Sequence, residues 1–329
     1  MILVTGGTGF LGAYIIQELI HKGYAVRATR RNGKIPFFIS KEVVSKVDWV
    51  EGDILDTISL EEAMHGVDTV IHSAAKVSFS KKERKEMYAT NITGTANIVN
   101  LALDKKIKRF VYISSVSAIG RTGNRTSVDE NSPWENNKGN SHYGITKYHA
   151  EMEVWRGEAE GLSTVIINPS TVLGYGDWNQ SSCAIFRNIF NEFPWYTTGT
   201  NGFVDVKDVA RAAVDLMAKD FRGERFILSA KTLSFHQLFD LIADGFSKRR
   251  PNKEATAFLS GLAWRIEKLK SILTGKPTLL SKETARIARS HMNLDNSKIL
   301  RFLPEFYFTP LEKTVQDACQ SYLEQPQPA

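Results

Sequence analysis

Seven residues near the start of the chain, Gly6-Gly7-Thr8-Gly9-Phe10-Leu11-Gly12, constrain its fold more than any other segment. They follow an apolar run, Ile2-Leu3-Val4-Thr5, that reads as a strand. They open a segment in which Leu11, Ile15, Ile16, Leu19 and Ile20 recur at helical spacing, with Gly23 as its stop. Glycines in that place let the backbone turn tightly and leave the first N–H groups of the helix, at the positive end of its dipole, facing an anion. Three glycines fall into such spacing by chance often enough. Their position between strand and helix is what points to a dinucleotide pyrophosphate cradled by Gly6, Thr8, Gly9, Phe10, Leu11 and Gly12.

The pattern repeats downstream. Residues 25–29, 47–50, 68–72 and 109–114 read as further strands separated by helical segments, and βαβ units of this kind build a parallel sheet. Residues 163–168 and 224–228 read as later strands, with a helical pattern from Val209 to Met217 between them. The fold expected is α/β, a doubly wound parallel sheet over 1–168 completed by about 203–229. The remainder, 169–329 and mostly 175–200 and 230–329, is left as a mainly helical substrate-binding region.

Open parallel sheets bind ligands at the carboxyl ends of their strands, and the residues found there carry the chemistry. An acidic residue about 20 positions beyond the glycines would accept hydrogen bonds from the adenosine ribose, but this count lands on Arg30 and Arg31. A guanidinium can bind a 2′-phosphate bidentately, so NADP(H) is favoured and NAD(H) stays open. Asp53, followed by Ile54, ends the third strand, where it can accept from an adenine amino group. Ser73, Ala74 and Ala75, then Lys76, end the fourth, and small residues there allow close approach of the cofactor.

Tyr143 and Lys147 stand four apart and so share one helix face. With ten tyrosines in the chain, a Tyr-x-x-x-Lys pair alone means little. Ser114 and Ser115, at the carboxyl end of the fifth strand, give it context. A phenol near pKa 10 is a poor acid–base at neutral pH, a nearby ammonium favours its ionised form, and a serine hydroxyl can orient a carbonyl. Asn91 is read as support for a water near the lysine, with a helix cap as the plainer alternative.

The 42 basic residues exceed the 36 acidic by six, too few and too scattered for nucleic acid. Lys105, Lys106, Lys108 and Arg109, like Lys81, Lys82, Arg84 and Lys85, read as solvated faces. Cys183 and Cys319 stand far apart and suggest neither a disulfide framework nor a metal site. The first strand begins at Ile2, leaving no room for a signal peptide, and no apolar stretch reaches membrane-spanning length, so a cytoplasmic protein is expected.

Together the glycine turn, Ser115, Tyr143 with Lys147, and Asn168-Pro169-Ser170-Thr171-Val172-Leu173-Gly174 resemble the extended short-chain dehydrogenase/reductase family, over roughly residues 1–230. The resemblance implies a Rossmann-type domain with a smaller C-terminal substrate domain. It also implies an NAD(P) cofactor and a Ser-Tyr-Lys trio at Ser115, Tyr143 and Lys147. The segment that closes over the nicotinamide carries Asn168 in place of the family's arginine, with Pro169 and Thr171 beside the cofactor. Val26-Arg27-Ala28-Thr29-Arg30-Arg31 looks like the second strand of the dihydroflavonol-4-reductase-like branch, with Arg31 matching its phosphate-binding arginine. That branch implies NADPH-dependent reduction of a small or hydrophobic, ring-bearing ketone.

Three alternatives accompany this reading: a sugar or nucleotide-sugar epimerase/dehydratase using NAD, a 3-beta-hydroxysteroid dehydrogenase-like enzyme, and a non-catalytic dinucleotide sensor. Thr200-Asn201-Gly202-Phe203-Val204-Asp205 weakens the first, since it lacks the arginine that usually holds a sugar diphosphate. A homodimer through a helix bundle is typical of the family. Phe186, Ile189, Phe190, Phe193, Trp195 and Tyr196 read either as walls of an apolar pocket or as core. Residues 257–275 read as an amphipathic lid or core helix, with a membrane-surface role as the alternative, and the Pro-rich end 325–328 as a frayed tail.

Overall fold

Every β-rich run of the first half forms a strand within a residue of its expected place. The strands are β1 Ile2–Thr5, β2 Val26–Arg30, β3 Asp48–Glu51, β4 Thr69–His72, β5 Arg109–Ile113 and β6 Thr164–Pro169. The computed structural model describes residues 1–120, 127–136, 139–256, 286 and 288–325. The helix read over 257–275 and the tail residues 326–328 lie outside the described residues.

The short strands β7 Thr171–Leu173, β8 Trp195–Tyr196 and β9 Thr200–Asp205 precede β10 Glu224–Leu228, which is followed by β11 Lys231–Ser234 and β12 Lys253–Glu254. The main sheet is parallel throughout, in the order β10-β6-β5-β4-β1-β2-β3. Chain direction around the sheet reverses between β1 and β4, and the ligand crevice of a doubly wound fold opens at that point. No residue of β5 or β6 is exposed, as a strand covered on both faces requires.

Helices α1 Phe10–His21 and, later in the chain, Val206–Met217 cover one face of the sheet. There Ile15, Ile16 and Leu19 meet Val209 and Ala213 in one core. The helices α2 Lys41–Ser45, α3 Thr57–Ala63, α4 Arg84–Tyr88, α5 Gly94–Asp104 and α6 His142–Ala159 complete the first half of the chain. Leu60, Ile98, Val99, Ala150 and Val154, from α3, α5 and α6, form the core on the opposite face.

Sheet completion falls to β10 alone. The stretch 200–205 joins instead a small second sheet, β11-β9-β7, which carries the C-terminal part of the chain. Its core settles part of the aromatic run. Phe186 and Ile189 are fully buried beside Phe246 and Tyr322, and Phe190 meets the Phe246 ring edge-on at 5.2 Å. Phe193 is exposed, and Trp195 and Tyr196 form β8, with Tyr196 stacked on His236 at 3.7 Å. No helix among the described residues is long and apolar enough to cross a membrane.

Candidate active site

The sequence-derived candidates gather along one edge of the main sheet. Gly6 to Gly12 follow β1, Arg30 ends β2 and Arg31 follows it, and Asp53 and Ile54 come after β3. Ser73 to Lys76 follow β4, Ser114 and Ser115 follow β5, and Pro169 ends β6 with Thr171 beginning β7.

Two glycines at the first turn are dictated by space. Gly6 has φ +70°, and a Cβ there would lie 2.7 Å from the backbone N and Cα of Ala74. A Cβ on Gly12 would lie 2.2 Å from the Gly6 carbonyl oxygen. The turn after β1 is thus pressed directly on the segment after β4, where the Ser73 N–H donates to the Thr5 carbonyl at 3.2 Å. Gly9 caps α1 without a side chain. By contrast Ser141 caps α6 by accepting from the Gly144 N–H. An uncapped first turn beside close-packed backbone fits a pyrophosphate, which would take the N–H groups that no side chain occupies.

The two arginines part company. The Arg30 Nε donates to Glu51 Oε1 at 3.0 Å, across the β2–β3 ladder. Arg31, whose side chain is 62% exposed, extends beyond the strand with its guanidinium 3.7 Å from the Asp53 carboxylate. Asp53 also accepts from the Leu55 N–H at 2.9 Å, so its carboxylate serves its own turn and Arg31. Ile54 packs on Gly94, where a Cβ would come within 2.5 Å of its Cδ1.

Asn91 has three direct partners on two segments. It sits in a π-helical turn, Ala89–Thr93, and is 1% exposed. Its Oδ1 accepts from the Lys76 N–H at 2.7 Å, and its Nδ2 donates to the Lys76 carbonyl at 2.9 Å and to Thr146 Oγ1 at 2.9 Å. The amide therefore ties the post-β4 segment to α6, at the residue next to Lys147. The Lys76 side chain points away, to Glu86 at 2.6 Å and Glu83 at 3.0 Å. Because Asn91→Ala strands buried partners on two elements, it is expected to cost about 2 kcal/mol in urea unfolding with an unchanged slope. A loss below about 0.5 kcal/mol would contradict the clamp.

Ser115, Tyr143 and Lys147 converge where α6 begins against the 3-10 turn Val116–Ala118. A Cβ at Gly144 would come 2.6 Å from the Ser117 carbonyl oxygen. Burial pushes the Tyr143 phenol up to about 12, and the Ser115 hydroxyl beside it acts in the opposite direction. Lys147 is 1% exposed, its Nζ donates to the Ile113 carbonyl at 2.7 Å, and it lies 4.3 Å from the centre of the Tyr112 ring. Burial pushes this ammonium down to about 7, opposed by Glu151. The lysine thus engages the end of β5, and burial is the leading influence on the phenol. For Lys147, desolvation outweighs the opposing charge of Glu151.

Spacing also left three polar residues unremarked. Glu151 is fully buried one turn beyond Lys147, and the Asn168 Nδ2 donates both to Glu151 Oε1 at 2.5 Å and to the Ser115 carbonyl at 3.0 Å. Arg225, on β10, lies 3.3 Å from Glu151 Oε2. Tyr143, Lys147 and Glu151 recur every four residues, a signal that counting along α6 would have caught. Arg225 comes from the far edge of the sheet, which no local pattern predicts. His72 is buried between Thr5 Oγ1, 2.7 Å from its Nδ1, and Thr95 Oγ1, 3.0 Å from its Nε2, and burial holds it neutral, down to about 3.

A seven-stranded parallel sheet with an uncapped glycine turn at its switch point, and Ser, Tyr and Lys at the adjoining strand ends, defines the class of short-chain dehydrogenases/reductases. Within that class the chain belongs to the NAD dependent epimerase/dehydratase family, whose model matches residues 2–228. It is an NAD(P)-dependent oxidoreductase of the extended type. It is 32% identical over 309 residues to a Synechocystis protein named "Putative dihydroflavonol 4-reductase", covering 91% of this chain and 88% of that one. It is 31% identical over 279 residues to tetraketide alpha-pyrone reductase 2 of Arabidopsis thaliana, covering 77% and 86%. The crystal structure of gox2253 superposes with a TM-score of 0.82 over 98% of both chains, at 24% identity, a likeness of fold.

Proposed function

We propose that the protein is an NADPH-dependent reductase of a small or hydrophobic, ring-bearing ketone. The observation that carries this reading is the convergence of Ser115, Tyr143 and Lys147 at the carboxyl ends of the strands next to the glycine turn. A bound reduced nicotinamide supplies a hydride to the carbonyl carbon. Ser115 orients the carbonyl oxygen, and Tyr143 delivers the proton to it. A phenol held at about 12 is protonated throughout the neutral range, which is the state a proton donor to a ketone needs. Lys147 supplies positive charge beneath the site. The substrate class follows the two relatives, whose names are those of reductases of ring-bearing carbonyl compounds.

The dihydroflavonol dihydroquercetin is the first ketone to assay, within a panel of steroid and aryl ketones. NADPH-dependent loss of one of these, with formation of its alcohol, supports the reading. Bound NAD that co-purifies and is never consumed, with interconversion of nucleotide sugars, overturns it in favour of an epimerase.

The preference for NADPH rests on Arg31, since the Arg30 guanidinium is taken up by Glu51. Arg31→Glu replaces a charge-assisted donor with a repelling carboxylate. It is expected to raise the NADPH KM about 10- to 100-fold and to leave the NADH KM within about threefold. Equal effects on both cofactors would remove Arg31 from the 2′-phosphate site. The region 1–168 together with β10 is proposed as the cofactor-binding part, and 175–200 with 230–329 as the substrate-binding part.

A further inference from the structure

A buried chain of hydrogen bonds runs beneath the candidate site, and the proposed reaction does not use it. It starts at Thr5, the last residue of β1 and the one before the glycine turn. The Thr5 hydroxyl lies 2.7 Å from His72 Nδ1, and His72 Nε2 lies 3.0 Å from Thr95 Oγ1 on α5. The Thr95 hydroxyl donates to the Asn91 carbonyl at 2.7 Å. Asn91 holds both main-chain groups of Lys76 and donates to Thr146, whose own hydroxyl donates to the Tyr143 carbonyl at 2.8 Å. Thr5, His72, Thr95, Asn91 and Thr146 are all buried.

Counting protons gives the chain a direction. A hydroxyl has one proton to donate. Thr95 spends its own on the Asn91 carbonyl, so toward His72 it can only accept, and Nε2 carries the ring proton. Burial holds the imidazole neutral, so Nδ1 keeps a lone pair and takes the Thr5 proton. The Thr5 oxygen in turn faces the Ala74 N–H at 3.5 Å. Every link from Ala74 and Thr5 to Asn91, and from Asn91 through Thr146 to Tyr143, therefore donates the same way, and such links strengthen one another.

The chain joins the two elements that hydride transfer must bring together. At one end is the turn shaped for a pyrophosphate, pressed on Ala74. At the other is the first turn of α6, which carries Tyr143 and Lys147. His72 stands between them at the end of β4, paired in register with Thr5 and stacked on Tyr112 at 5.4 Å.

We infer that His72 is a positioning residue: as a single Nε2–H tautomer bonded at both nitrogens, it holds the end of β1, which places the cofactor, in register with the start of α6, which places the proton donor. This rests on the reading of Ser115, Tyr143 and Lys147 as the reacting groups.

The tautomer is read in the unsubstituted, cofactor-free protein by nitrogen-15 NMR of its imidazoles. His72 is expected to show a protonated Nε2 and an unprotonated Nδ1. A proton on Nδ1 instead overturns the inference, because Thr95 would then donate to His72 and release Asn91.

The coupling is read in Thr5→Val, Thr95→Val and the double variant, which keep side-chain volume and remove one link or two. Single-turnover hydride transfer at saturating NADPH and ketone is expected to fall about 10- to 100-fold in each single variant, with the NADPH Kd within about threefold. The double variant should be slower than the slower single one by no more than about twofold, because either break already frees the two ends. Thr5→Ser and Thr95→Ser, which retain the hydroxyl, should keep the rate within about threefold of wild type.

A merely structural chain would lower the Tm of the valine variants and leave the folded molecules transferring hydride at the wild-type rate. That result overturns the inference, as do losses that multiply in the double variant. Full turnover by Tyr143→Phe would remove the reading of the trio while leaving the His72 tautomer in place. Multiplying losses beside an inactive Tyr143→Phe would remove this inference alone.

Discussion

Replacing Tyr143 with phenylalanine is expected to lower kcat for ketone reduction about a hundredfold to ten-thousandfold while leaving NADPH affinity within a few-fold. The substitution removes one oxygen and leaves the ring, so packing at the start of α6 is retained. What is lost is the proton that neutralises the alkoxide as hydride arrives. Stopped-flow consumption of NADPH at saturating ketone measures the effect. A variant that keeps more than a tenth of wild-type kcat would show that the proton comes from elsewhere.

The second large effect is on the glycine turn. Gly6→Ala is expected to destabilise the protein by about 3–5 kcal/mol and to weaken dinucleotide binding at least tenfold in whatever fraction folds. Two penalties add. At φ +70° an alanine is strained, and its Cβ would stand 2.7 Å from the backbone of Ala74, which cannot yield as a side chain can. Relief requires separating the turn after β1 from the segment after β4, and this opens the cradle meant for the pyrophosphate. Urea unfolding reads the first penalty and quenching of tryptophan fluorescence by NADPH the second. Stability within about 0.5 kcal/mol of wild type would mean that the turn relaxes without consequence.

How far the chain could be read without coordinates depended on the range of the interactions. Strands β1 to β6 and β10 were legible as short β-rich runs separated by helical patterns; the inner strands β5 and β6 are buried throughout, whereas β3, at the sheet's edge, is exposed at both ends. The glycine turn was legible because its constraint is local: the Gly12 Cβ position conflicts with Gly6, six residues away. Within the stretch 203–229 expected to complete the sheet, only β10 does so; residues 200–205 pair with β7 and β11, a partnership between segments distant in sequence that no local pattern announces.

At the site, spacing correctly put Tyr143 and Lys147 on one face but said nothing about burial. Burial is what holds the phenol high and the ammonium low. Asn91 was singled out, yet its partners, Lys76 and Thr146, lie 15 and 55 residues distant. Its role could not be inferred from neighbours in sequence. The resemblance singled out Arg31, and the β2–β3 register, which matches Arg30 with Glu51, leaves Arg31 as the guanidinium beyond the strand.

The account stands most directly on one isotope experiment. NADPH carrying deuterium at the transferable C4 position is turned over with dihydroquercetin or with whichever ketone of the panel reacts fastest, and the product alcohol is analysed by mass spectrometry. One deuterium at the carbinol carbon for each NADPH consumed is the predicted result. Its absence from every product, with NADPH unconsumed and a tightly held NAD recycled within the protein, would contradict the reductase assignment.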